Sequence, residues 1–339
     1  MTNNMIADTY IHFAWDSSPL SLDQIVEKYK PKKIIFFGPE EHRFNKVLDN
    51  KGTYKNVVNF LNNSKVDYLF VNGACGNYKL NHRFSFKKFS NSFVHWETFF
   101  AYQVYNITKA SLGHNKQITK LFTSLNNRAH HYRKMFIDQL YNFDLFDYGY
   151  ISWNGIDDNT QYSFKYWKPH TMLLSDRNDT YTPDFFKLPT EEFRDSLFSL
   201  IAESTMDAIF TTEKTYIAIL HRRPFLTFGA PNANLYMKTL GFKLFENVID
   251  YSFDSVEDDA ERCKQYMQQV KKLTTYNLNE LKNEVMPIVN HNFDNFNEMI
   301  ATNATVPTVV KELLSNSTHN RLQHYASLLN NNRKTFIIG

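Results

Sequence analysis

Residues 200–229 read LIAESTMDAIFTTEKTYIAILHRRPFLTFG, with two carboxylates ten positions apart, Glu203 and Glu213, and a Thr-Glu-Lys triplet, Thr212 to Lys214, opening an apolar helical pattern. A helix start turns unpaired backbone N–H groups and the positive end of the dipole outward. Lys214 adds a full charge, so this start suits a phosphate. Glu213 serves a phosphate badly, and a carboxylate there fits two neighbouring ribose hydroxyls, which need an acceptor. Thr212 is placed to cap the helix, Tyr216, Ile217 and Leu220 make its buried stripe, and Pro224 is expected to end it.

A second cationic cluster stands upstream, where NNRAHHYRK sets Arg128, His130, His131, Arg133 and Lys134 between the end of a strand pattern and the first turns of a helix. Alone, this cluster reads as a solvated basic face. Paired with the helix start at Thr212, it offers a diphosphate two places to be held.

Two carboxylates elsewhere are placed as a general base would be. Glu97, in VHWETFF, is the first candidate, because a carboxylate beside Trp96 in an apolar stretch holds its proton more tightly. Asp16, after Trp15, is the second. Each also reads as a helix cap or a structural acceptor, and His95 reads as a packed histidine. A metal-bridged mechanism asks for an Asp-x-Asp cluster after a strand. DLFD and SDRND have other spacings, and VEDDAER reads as an acidic first helical turn. No metal ligands and no essential cofactor are therefore expected.

These residues need elements to hold them. TYIHFAWD, KKIIFFG and DYLFVNG read as strands, with SLDQIVEKY and TYKNVVNFLNN as helices between them, the first opened by a serine cap. A second series follows: strand LFTSLNN, helix RAHHYRKMFIDQLYNF, strand YGYISWNG, strand LFSLIAES, the helix after Thr212, strand PFLTFG, helix NLYMKTLG and a long helix to Leu273. Such alternation predicts parallel sheets covered by helices, and so two Rossmann-like units. The boundaries expected are 1–115, 116–305 and a helical tail over 306–339. SFVHWETFFAYQVYN, in the passage between the halves, is too apolar for a plain linker. NGACGN reads as a turn, not as a dinucleotide fingerprint.

The 339 residues carry a net charge of +3, enough to admit an anionic ligand and too little to establish nucleic-acid binding. The only two cysteines, Cys75 and Cys263, lack metal or disulfide spacing and fit a reduced, cytoplasmic setting. No stretch approaches a membrane span, and MTNNMIADTYIHFAWD lacks the basic-then-apolar pattern of a secretion signal. The lysine-rich HRFSFKKFSNSF reads as a solvated loop, with contact to acidic lipid as the sharper alternative.

The spacing from the glutamate of AES to that of TTEK resembles the signature of the α1,3-fucosyltransferases, in which an acidic residue precedes a Tyr-Val-Thr-Glu-Lys helix start. HRRPFLTFGAPN looks like that family's helix end, strand and turn, and RKMFIDQL is similar to its arginine-headed helix. The resemblance covers about Leu121 to Leu273. It implies an α/β, GT-B glycosyltransferase of two Rossmann-like domains with the donor on the second. By position, Glu213 would hold the donor ribose, Lys214 and Arg133 the diphosphate, and Glu203 would stand near the sugar or support the site. Arg128 is added from its chemistry. Ser204, Phe210 and the pair Arg222–Arg223 depart from the family pattern, so fucose is the first candidate sugar and not the only one. A nucleotide sugar is the expected cosubstrate and a glycan or other hydroxyl the acceptor. A modified base in DNA is a second class of acceptor, and a non-catalytic nucleotide- or glycan-binding module the reading from another class.

Overall fold

The computed structural model describes residues 5–13, 21–39, 65–73, 93–107, 111–157, 162–172, 174, 188, 190–315, 317 and 319–330. For Asn72, Phe93, Asn127, Arg128, Ile156 and Asp157 it describes the backbone alone. Asp16, Cys75, Gly76, the helix expected over TYKNVVNFLNN and the lysine-rich stretch before Phe93 lie outside these residues. The chain divides into two units, one drawn from Met1–Tyr102 and Asn303–Asn332, the other from Gln103–Thr302.

In the first unit, strands β1 (Met5–Ile6), β2 (Thr9–Phe13), β3 (Lys33–Gly38), β4 (Asp67–Asn72) and β5 (Phe93–His95) lie side by side in that order. β1 is antiparallel to β2 and all other pairs are parallel. Ile34 to Phe37 are buried in succession, as in a strand covered on both faces. Helix α1 (Leu22–Tyr29) opens as its serine predicts: Gln24 N–H donates to Ser21 Oγ at 3.3 Å and Ser21 N–H to Gln24 Oε1 at 2.8 Å. Helix α2 (Phe99–Ile107) occupies the stretch too apolar for a linker, and the unit boundary falls inside it, earlier than position 115.

The second unit holds β6 (Lys120–Ala129), α3 (His131–Asn142), β7 (Gly149–Asp157), α4 (Thr190–Asp195), β8 (Ser196–Ala202), α5 (Glu213–Leu220), β9 (Phe225–Phe228), α6 (Ala233–Thr239), α7 (Asp259–Leu273) and α8 (Leu278–Thr302). Its strands are parallel in the order β7-β6-β8-β9. The chain steps outward from β6 to β7 and then crosses back to β8, so the order reverses between β6 and β8. Open α/β sheets take ligands at such a reversal, outside the carboxyl ends of the strands. The Phe136 ring, 5.8 Å from Phe228 and 5.4 Å from Tyr266, ties α3 to β9 and α7. Asp258 caps α7, accepting the Glu261 N–H at 2.8 Å, which bears out the acidic first turn.

Helices α9 (Thr308–Ser315) and α10 (Asn320–Asn330) complete the first unit. The Tyr325 ring lies 5.1 Å from Phe37 and 5.7 Å from Phe99, while Phe13 meets the His319 ring at 5.0 Å and the Arg321 guanidinium at 5.2 Å.

The end of α5 corrects the expectation from Pro224. The helix stops at Leu220 because Arg222 turns left-handed at φ 53°. Its N–H donates to Ile219 O at 3.0 Å and that of Arg223 to Ala218 O at 2.9 Å, closing the turn before the proline is reached. The two arginines are structural here. Arg222 stacks 4.2 Å from the Phe293 ring, and Arg223, 1% exposed, stacks 4.3 Å from Phe193 and donates to Ser196 O and Oγ at the beginning of β8. This is the amino edge of the sheet, opposite the crevice.

His221 shares that edge. It is 4% exposed, and its Nδ1 accepts the Leu112 N–H at 2.9 Å. Burial first, and the Arg223 charge second, lower its pKa from 6.5 to about 4. The unfolded chain therefore binds a proton that the folded one refuses, so the stabilisation is complete above the unfolded value and is lost as pH falls toward 4. Through this residue, stability is expected to drop by about 3 kcal/mol between about pH 7 and pH 4. A His221→Gln variant, whose amide oxygen can take the Leu112 N–H, should show a flatter profile of urea midpoints, and parallel profiles would refute the assignment.

Candidate functional site

Two helix starts flank the strand reversal, α3 after β6 and α5 after β8. The α5 start is built around Glu203, the residue after β8, which is 2% exposed. Its Oε1 accepts the Thr212 N–H at 3.1 Å and its Oε2 the Thr212 hydroxyl at 2.7 Å. Thr212 stands at the cap position, yet its side chain does not cap the helix and donates to Glu203 instead. Both oxygens are engaged by Thr212, so Glu203 positions the helix start. The ten-residue spacing follows: a strand end and the next helix start must come within reach of one side chain.

Lys214 Nζ reaches Glu213 Oε1 at 3.1 Å, Thr212 Oγ1 at 3.1 Å and Glu203 Oε2 at 3.9 Å. The two carboxylates respond in opposite directions. Burial pushes Glu203 above the ordinary carboxylate range, helped by the charge of Glu213 and opposed by Lys214 and the Thr212 bonds. Burial works on Glu213 as well, but Lys214, the residue's own backbone N–H and Arg133 outweigh it and hold that carboxyl below the usual range. Glu213 thus stays ionised, as an acceptor for hydroxyl groups must.

Arg133, on the first turn of α3, is 5% exposed and donates from Nε to Ala202 O at 3.2 Å, tying α3 to the last residue of β8. Lys134 is 4% exposed. The cluster is thus no solvated face: Arg133 and Lys134 are buried, while His131 is exposed and heads the helix. Arg128 also departs from expectation. β6 runs on to Ala129, with a register shift against β7 between Asn126 and Arg128, so Arg128 stands opposite Ile156 within the sheet and not in the helix start. Arg133, Glu203, Glu213 and Lys214 are thus gathered at one crevice. Glu97, half-buried in the turn between β5 and α2, belongs to the first unit.

Two side chains that shape this edge carry no obvious signature. Asp138, in the middle of α3 and 0% exposed, accepts the N–H groups of Tyr166 (3.0 Å) and Trp167 (2.8 Å) on Oδ1 and those of Lys165 (2.9 Å) and the Tyr162 hydroxyl (3.0 Å) on Oδ2. It fastens an aromatic segment whose Tyr162 ring lies 5.2 Å from His131. The available signal was a carboxylate set among Met135, Phe136, Ile137 and Leu140, where only a satisfied charge can be buried. Asn234, 0% exposed, exchanges bonds of 3.0 and 2.7 Å with the Thr227 backbone and donates to Asp254 at 2.7 Å, fixing α6 beside the end of β9. A small pocket opens there, lined by Glu203, Thr205, Phe210, Thr215, Gly229 and Met237 among others.

Among the described residues, no helix is long and apolar enough to cross a membrane, and no group of three His, Cys, Asp or Glu residues could hold a metal ion. No family model matches the chain, and no curated protein or solved structure does either.

Proposed function

We propose that the second unit binds a nucleotide sugar at the crevice between β6 and β8, and that the chain is a GT-B glycosyltransferase that moves the sugar to a hydroxyl acceptor with inversion and without an essential metal. The observation that carries the reading is the convergence of Arg133 from one helix start and Glu213 and Lys214 from the next on a single strand reversal. In this reading the diphosphate lies between Arg133 and Lys214, the ribose hydroxyls on Glu213, and Glu203 keeps the α5 start in place. Cationic groups fixed before the reaction stabilise the leaving diphosphate without reorganising as its charge develops. GDP-fucose is the first candidate donor, on the resemblance of the Glu203-to-Lys214 segment. The acceptor base is expected from the first unit, where Glu97 is the candidate.

A screen of GDP-, UDP-, CMP- and dTDP-sugars for thermal stabilisation and slow donor hydrolysis tests the reading. One nucleotide class should raise the melting temperature by mass action, and Glu213→Ala should abolish the rise. A protein that binds none of them has another function.

A further inference from the structure

The cation at the start of α5 is already committed within the protein. Lys214 is shared between Glu213 at 3.1 Å and Glu203 at 3.9 Å, so the cation that a phosphate would need already serves two carboxylates. Glu203 depends on it most, being 2% exposed with Thr212 as its other side-chain partner among the described residues. Once Nζ turns to a phosphate, Glu203 loses its nearest cation and gains an anionic neighbour, and both changes disfavour its charge. Among the described residues, Lys214 is the cation recorded beside Glu203. Glu213 is a further anion, and Arg133 of α3 is bonded to Ala202 O and acts on Glu213. Arg262 of α7, which reaches Gly229 O at 3.1 Å, is paired with Asp259, and His131 stands exposed at the head of α3.

We propose that occupation of this site by a phosphate-bearing ligand is coupled to the uptake of one proton by Glu203: Lys214 leaves the carboxylate for the phosphate, and a proton from solvent takes its place. The inference rests on the donor-binding reading above. The proton takes the Glu203–Lys214 pair from net zero to +1, which offsets one negative charge of the phosphate, and the acid form still accepts the Thr212 N–H through its carbonyl oxygen. Binding linked to proton uptake strengthens as pH falls, by up to about tenfold per pH unit where free Glu203 is ionised and bound Glu203 is not.

The test is titration calorimetry with an intact nucleotide sugar, whose phosphates do not titrate near neutrality, in buffers of low and high ionisation enthalpy at the same pH. The observed heat should vary with buffer by an amount equal to roughly half to one proton taken up. Glu203→Gln, which keeps the bonds to Thr212, should bind with heats independent of buffer and with affinity independent of pH. Lys214→Met should lose most of the uptake as well, because Glu203 has no lysine to surrender. Wild-type heats that ignore the buffer, or an uptake that survives in Glu203→Gln and so belongs to His130 or His131, overturn the proposal while leaving donor binding intact. A failure of every nucleotide sugar to bind overturns the donor reading and this inference with it.

Discussion

A Lys214→Met variant is expected to transfer or hydrolyse its donor about tenfold to a hundredfold more slowly than the wild type. A charge-assisted hydrogen bond contributes roughly 1.5–3 kcal/mol, and each 1.36 kcal/mol is a factor of ten in rate. The loss should appear in kcat more than in KM, since the leaving diphosphate is more negative than the bound one. Arg133→Met should show a loss of the same order with an added structural cost, because its Nε also holds Ala202 O at 3.2 Å. Comparing the two separates their roles: Lys214, with 22% side-chain exposure, compensates the carboxylates of Glu203 and Glu213, whereas Arg133 braces α3 against β8. Donor hydrolysis with each nucleotide sugar provides the rate without knowledge of the acceptor. Normal turnover by both variants would remove the diphosphate clamp.

The second large effect is on stability. Asp138→Ala should destabilise the second unit by about 3–5 kcal/mol, because it leaves three backbone N–H groups and the Tyr162 hydroxyl without their acceptor, at roughly 1–3 kcal/mol for each one that stays buried. The four costs do not add in full, since the segment can open and let water reach some donors. Asp138→Asn should recover part of the loss, as its amide oxygen still serves Tyr166 and Trp167. Urea unfolding followed by tryptophan fluorescence reads the difference, with Trp153 and Trp167 both in contact with the affected segment. A loss below about 1 kcal/mol would show that the carboxylate contributes no more than an ordinary hydrogen-bond acceptor.

Strands were legible in the sequence because fully buried parallel strands read as unbroken apolar runs: KIIFFG and SLFSLIA each stand out from their flanks. Helix starts were legible from the serine cap at Ser21 and the acidic run VEDDAER, but not from Thr212, whose side chain donates to Glu203 instead. The strand orders were not, since alternation of strand and helix is the same whether each new strand is added on one side or the chain turns back, and the reversal between β6 and β8 is visible only in space. The site was legible as residue types and spacing but not as roles. Glu203 stands out by its distance from Glu213, yet its use as the acceptor for Thr212 depends on where the strand ends in relation to the helix. Arg128 was misplaced because a strand that continues through a register shift has no distinct composition, and Asp138 was passed over because a satisfied buried charge looks like any polar interruption of an apolar face.

The pairing of Asn303–Asn332 with Met1–Tyr102 has a consequence for the order in which the molecule can be made. The ribosome delivers the first unit's sheet early, but Phe13, Phe37 and Phe99 receive their cover from His319, Arg321 and Tyr325 only after the whole of Gln103–Thr302 has emerged. The second unit's described residues all belong to Gln103–Thr302, which is complete before those helices exist. The part synthesised first is thus finished last, and its aromatic surface stays open to other chains during the wait.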